Sequence, residues 1–224
     1  MKLFVRLTWA VDLKVKARVF TRAFFLKGGK EMVKLHYKGK FSGNVKDLPQ
    51  REHPQGAVKF QEAENPVQLA KQVAGWSFGV LVVGIVGLFL RGGFQVWSFW
   101  GCFVTALILF PHEFLHGLCF KEEAYVYTNW KQGMLFVVGT EDMSRRRFVW
   151  MSLFPNIVFG LIPYVIFLIW PQYGFLGTLG ALALSMGVGD YYNVYNALTQ
   201  MPKHAKTYLC GFHSYWYMPD EAIK

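Results

Sequence analysis

Long uncharged runs separated by short polar stretches set the pattern of this chain. Residues 72–90, between Lys71 and Arg91, carry no charge and are rich in Val, Leu, Ile and Gly. About 20 apolar residues span a hydrocarbon core, so this run predicts a transmembrane helix. A second uncharged run, residues 92–111, leads directly into His112. Residues 148–202 then form a 55-residue stretch whose one charged side chain is Asp190. Trp170-Pro171-Gln172-Tyr173-Gly174 splits it, giving spans near residues 148–170 and 175–198. The pattern predicts a mainly α, polytopic membrane protein with about four transmembrane helices.

The polar stretches carry their own signals. Residues 33–41 and 56–60 read as short strands. Asn65-Pro66 reads as a helix N-cap followed by proline in the first turn. Between the second and third spans, residues 124–128 and 134–138 are β-prone runs joined by Asn129-Trp130-Lys131-Gln132-Gly133, the pattern of a β-hairpin. That hairpin either covers helix ends or holds substrate. The expected organisation is a basic extension (1–31), a polar cytoplasmic N-terminal region (32–71), a transmembrane domain (72–202) and a cytoplasmic tail (203–224).

Composition sharpens this reading. Of 224 residues, 53% are hydrophobic and only 17% charged, against about 25% charged in an average soluble domain. Disordered segments, coiled coils and charged nucleic-acid-binding modules are not written with such runs. Cys102, Cys119 and Cys210 are few, odd in number and without CxxC spacing, which excludes a secreted disulfide scaffold.

The net charge of +10 is localised. Residues 1–73 hold 15 Lys+Arg against 6 Asp+Glu, and the remainder is nearly balanced at 9 against 8. Basic residues therefore mark a cytoplasmic segment, near anionic headgroups of the bilayer, and no nucleic-acid partner is expected. With the N-terminus inside, the successive segments carry 15, 1, 5, 0 and 3 Lys+Arg. Every inside segment outscores every outside one. The expected location is the cell membrane, multi-pass, with both termini cytoplasmic.

Residues 1–31 stand apart, with 8 Lys+Arg against 2 Asp+Glu. Asp12, Lys14, Lys16 and Arg18 interrupt any signal-peptide core. Lys27-Gly28-Gly29-Lys30-Glu31-Met32 can be encoded by AAAGGAGGAAAAGAAATG, a ribosome-binding sequence followed by a start codon. The expectation is a native start at Met32, with 1–31 an upstream reading-frame artefact. The alternative is a basic amphipathic anchor on the inner leaflet.

Candidate chemistry sits at the end of the second span, in His112-Glu113-Phe114-Leu115-His116. Positions i and i+4 share a helix face, so both imidazoles of this HExxH motif can reach one metal ion. Glu113 stands where it can take a proton from a water activated there. A catalytic zinc needs a third protein ligand. The soluble metzincin continuation HxxGxxH fails, because Cys119 and Glu122 occupy its positions. Glu141, His204 and His213 are possible, but Asp190 is the best candidate. A lone carboxylate in apolar sequence is costly unless a cation or a partner satisfies it. His112 lies 18 residues past Phe94 and Asp190 15 past Phe175, roughly 27 and 23 Å from the outer end at 1.5 Å per residue. Asn193, one turn after Asp190, is a candidate partner or transition-state donor.

HExxH at a membrane helix end, Phe154-Pro155-Asn156 in the next helix and Gly189-Asp190 in the following one resemble the site-2 protease class of intramembrane zinc proteases. In size and layout the chain is similar to the bacterial putative zincin peptidase family of small integral membrane proteins, over roughly residues 33–215. The resemblance implies His112, His116 and Asp190 as zinc ligands and Glu113 as catalytic base. Asn156 would match the intramembrane asparagine near the active site. Site-2 proteases usually carry Asp-Gly at the third ligand, whereas Asp190 is followed by Tyr191-Tyr192-Asn193. The function expected is a membrane-embedded zinc metallopeptidase acting on membrane-associated protein or peptide substrates near the cytoplasmic leaflet. The alternative is a non-enzymatic membrane protein, either a metal or proton pathway or an inactive zincin that binds membrane partners.

Overall fold

A computed structural model describes residues 33–129 and 134–219. The expectations for residues 1–31 and for the hairpin turn at 130–133 lie outside the described residues.

The first long helix, α1 (Pro66–Gly92), begins where the sequence supplies a cap. Asn65 Oδ1 accepts the Gln68 N–H at 3.0 Å, and Pro66 takes a first-turn position where no N–H is needed. Gly93, at φ +75°, ends the helix in a conformation that favours glycine. Phe78, Val83 and Leu90 project outward from it, as lipid-facing side chains do.

Two short helices follow, α2 (Phe99–Leu107) and α3 (Leu109–Leu118), bent by 42°. Pro111 explains the break: it has no N–H for the Leu107 carbonyl four residues back, and its ring crowds that carbonyl. HExxH therefore lies on its own short helix. Helix α4 (Arg145–Asn156) runs through a π-helical turn (Ile157–Leu161) into α5 (Ile162–Ile169). The expected fourth run is divided at Gly187 into α6 (Gly174–Met186) and α7 (Val188–Gln200). Among the described residues, two helices are long and apolar enough to cross a membrane, Val67–Gly92 and Arg145–Ile169, or three if the bent pair is one span.

Helix α6 is the hub of the helical layer, packing on α1, α2 and α5. Small residues let the backbones approach. A Cβ on Gly84 would stand 3.0 Å from Ala181 Cβ, and one on Gly180 would stand 2.6 Å from the Tyr164 nitrogen. Tyr164 Oη donates to the Gly84 carbonyl at 2.8 Å across the same contact.

Two sheets flank the helices. In the first, β1 (Lys34–Lys40) runs parallel to β3 (Glu123–Asn129), with Lys34 opposite Glu123. Strand β4 (Met134–Val138) pairs antiparallel with β3 on its other side, leaving β4 at the sheet edge. In the second, the order is β2 (Val58–Lys59), β7 (His213–Tyr217), β6 (Lys206–Cys210) and β5 (Met143–Ser144), all antiparallel. The segment expected as a tail thus holds a hairpin, turning at Gly211 with φ +64°, that packs back onto the chain. Phe120, Ala124, Met143, Phe148, Met151 and Ala197 form the apolar core joining strands and helices.

Candidate metal centre

The end of α3 is held by two charged side chains. Glu141 Oε2 accepts the backbone N–H groups of Lys121 and Glu122 at 2.7 and 2.8 Å. Arg147 donates to the Cys119 carbonyl at 2.6 Å and pairs with Glu141 Oε1. An otherwise unsatisfied helix terminus is thereby tied to the start of α4.

This anchored helix presents His112, Glu113 and His116 with one ligand atom of each within 4.8 Å of the others. Asp190, in the first turn of α7, reaches the same point. Its Oδ2 lies 3.1 Å from His112 Nε2 and its Oδ1 3.2 Å from His116 Nε2. The two Nε2 atoms are 3.2 Å apart. Position in the first turn also favours a carboxylate, because the helix N-terminus is partially positive.

The donor set fits zinc. Tetrahedral bonds of 2.0–2.1 Å place ligand atoms about 3.3–3.4 Å apart, close to the three separations seen. The tautomer fits too. His116 Nδ1 lies 3.0 Å from the Met151 carbonyl, which can only accept, so Nδ1 carries the proton and neutral His116 offers the Nε2 lone pair. That carbonyl is available because Pro155, four residues on, has no N–H for it. Asn156 supports the carboxylate: its Nδ2 donates to Asp190 Oδ2 at 2.7 Å and to the Ser152 carbonyl at 3.1 Å. Both amide hydrogens are engaged, which makes Asn156 an orienting group for Asp190 rather than a donor to substrate. Asn156 Oδ1 fills the space beside Gly187 where a Cβ would otherwise stand.

A cavity of about 450 Å³ opens beside these donors, lined by His112, Glu113, His116 and Asp190. Strand β4 contributes Leu135, Phe136, Val137 and Val138, and α7 contributes Tyr192 and Asn193. Among the described residues no hydrogen bond joins Asn193 to Asp190. The other ligand candidates are engaged elsewhere or stand apart. Glu141 holds the end of α3, His213 lies 3.6 Å from both Glu62 and Glu64, and His204 sits at φ +70° in the turn before β6. All three cysteines are unbridged thiols.

Sequence reasoning did not single out Met151, Gly187, Arg147 or Glu62. Each acts through at least one contact 20 or more residues away, and only Pro155, noted as part of a motif, gave a local signal for the first.

A histidine pair one turn apart, an adjacent glutamate and a carboxylate from a distant helix make a zincin-type arrangement in a chain with two or three helices apolar enough to cross a membrane. Residues 103–206 match the family described as "putative zincin peptidase". The matched segment holds His112, Glu113, His116, Asn156, Asp190 and Asn193. Among curated proteins and among solved structures, nothing matches the chain.

Proposed function

We propose that the protein is a membrane-embedded zinc metallopeptidase of the site-2 protease type, with His112, His116 and Asp190 as ligands and Glu113 as the catalytic residue. The observation that carries the reading is the convergence of three donors at 3.1–3.2 Å beside a glutamate that lines the same cavity. Zinc, when bound, supplies Lewis acidity, polarising a carbonyl and making water acidic near neutral pH. Glu113 takes a proton from the attacking water and returns it to the leaving amine. Met151 fixes the tautomer of His116, and Asn156 orients Asp190. With Asn156 engaged, Asn193 on the cavity wall is the side chain proposed to donate to the developing oxyanion.

Strand β4 supports an extended substrate. It is the outer strand of its sheet and four of its residues line the cavity, so a peptide added along it would pass the metal. The loop tally of basic residues supports four spans, with α6 and α7 together as the fourth. Both termini and residues 121–147 then face the cytoplasm of a multi-pass cell-membrane protein. Substrates are membrane-associated proteins or peptides, and nucleic acid has no part.

Metal analysis tests the site. Purified wild type is expected to hold one zinc per chain, and His112→Ala and Asp190→Ala to lose it. Folded Asp190→Ala with wild-type zinc affinity would refute the ligand set; loss of an orienting partner alone weakens binding only about 10–100-fold.

A further inference from the structure

One charged side chain in the cavity has no part in the chemistry above. Glu62 stands between β2 and α1 and lines the cavity, as do Phe212 and Ser214 of the β6–β7 hairpin. Its side chain is only 10% exposed. Oε1 accepts the Ser214 backbone N–H at 2.5 Å and lies 3.6 Å from His213 Nδ1. The Ser214 side chain also hydrogen-bonds the Glu62 carboxylate. Lys59, whose charge is felt at Glu62, is bonded to Glu64 at 3.0 and 3.1 Å instead.

The charge pattern of the cavity sets Glu62 apart. Among the described residues its lining includes neither Lys nor Arg, and its acids are Glu62, Glu113 and Asp190. A dication offsets the last two. The basic neighbour of Glu62, His213, 3.6 Å away, has its pKa lowered by burial and is therefore neutral near pH 7. Glu62 is thus left as an enclosed carboxyl without a full counter-charge, which is unfavourable in its ionised form. Burial accordingly raises its pKa to about 7, although hydrogen bonds from the Ser214 backbone and side chain pull the other way.

We propose that Glu62 is a specificity-determining residue that receives a cationic group of the substrate peptide, an ammonium or a guanidinium. The inference rests on the peptidase reading. A cation supplies the missing counter-charge. A neutral group at the same place leaves the carboxylate without a counter-charge, and a buried charge left uncompensated discriminates strongly. The cation comes either from a Lys or Arg side chain or from the peptide's own N-terminus.

Binding tests this independently of turnover. Full-length, zinc-loaded protein carrying Glu113→Gln is titrated in detergent with fluorescent Ala/Leu decapeptides. Each peptide has lysine or glutamine at one position in turn, and a free or acetylated N-terminus. In one register the lysine peptide is expected to bind about tenfold tighter than its glutamine twin, as for a charged hydrogen bond. The preference should collapse to within about twofold when Glu62→Gln, which keeps a carbonyl for Ser214, is added. Glu64→Gln, at an exposed position, should preserve it. A preference for the free N-terminus instead identifies the cation as the α-ammonium. Equal binding of all twins, absent binding included, or a preference that survives Glu62→Gln, overturns the inference. With Glu113 restored, cleavage lacking charge preference rejects this inference alone. Glu62-dependent binding with no cleavage rejects the peptidase reading alone.

Discussion

The Nδ1–H of His116 donates to the Met151 carbonyl at 3.0 Å, and Pro155 is what leaves that carbonyl open to it. A helix-breaking residue in one helix thus sets the tautomer of a metal-ligand candidate in another. Pro155→Ala restores a competing N–H for Met151. We expect α4 to be no less stable while zinc affinity falls about 10–100-fold, the range for a lost orienting partner. Zinc titration with a competing chelator reads this, and unchanged affinity would remove Met151 from the account.

Gly187 separates α6 from α7 and leaves room for Asn156. A Cβ there would collide with the Asn156 amide and push it off Asp190. Gly187→Ala should lower both zinc affinity and thermal stability. Gly189→Ala, two residues on, meets nothing within 4 Å and should leave both near wild type. Similar behaviour of the two variants would contradict the packing argument.

Arg147 neutralises Glu141, whose side chain is 4% exposed. Removing one partner of a buried ion pair leaves an uncompensated charge, at a cost of about 3–5 kcal/mol. Arg147→Met should destabilise the protein by about that amount in detergent unfolding, and adding Glu141→Gln should recover part of it. An additive double variant would show that the pair is not coupled.

Glu62 gives a pH dependence of defined sign. Its pKa is raised from 4.5 to about 7 by burial, so the folded state holds this proton more tightly than the unfolded chain. Its contribution to stability is fully present below about pH 4.5 and is lost as pH rises through about 7. Between pH 5 and pH 8 the wild type should therefore lose more thermal stability than Glu62→Gln, by about 2 kcal/mol. Parallel pH curves for the two proteins would contradict this.

The sequence made the local features legible. HExxH spacing put three side chains on one short helix, and the isolation of Asp190 marked it as needing a partner. Estimated depths put His112 and Asp190 within a turn of one another, and the structure brings them to 3.1 Å. Asn65 and Pro66 announced the start of α1, and two β-prone runs announced β3 and β4. What stayed hidden depends on distant contacts. Nothing near Met151 says that its carbonyl meets His116, 35 residues earlier. Hydropathy averaged over residues 175–198 missed the break at Gly187, where no side-chain cap marks the new helix. The aromatic run His213–Tyr217 became a strand because β2 and β6 lie on either side of it; β6 is its hairpin neighbour, but β2, whose Lys59 pairs with Tyr215, is far away in the sequence.

The central claim is tested most directly by peptide hydrolysis per bound zinc in wild type and Glu113→Gln, reconstituted side by side. Both proteins should hold one zinc. Wild type should cleave a quenched-fluorescent peptide, and the Gln variant should be slower by about 10²–10⁴-fold, the scale of general acid–base catalysis. Full zinc occupancy with no wild-type hydrolysis, or equal rates in the two proteins, would contradict the assignment of a zinc peptidase with Glu113 as its base.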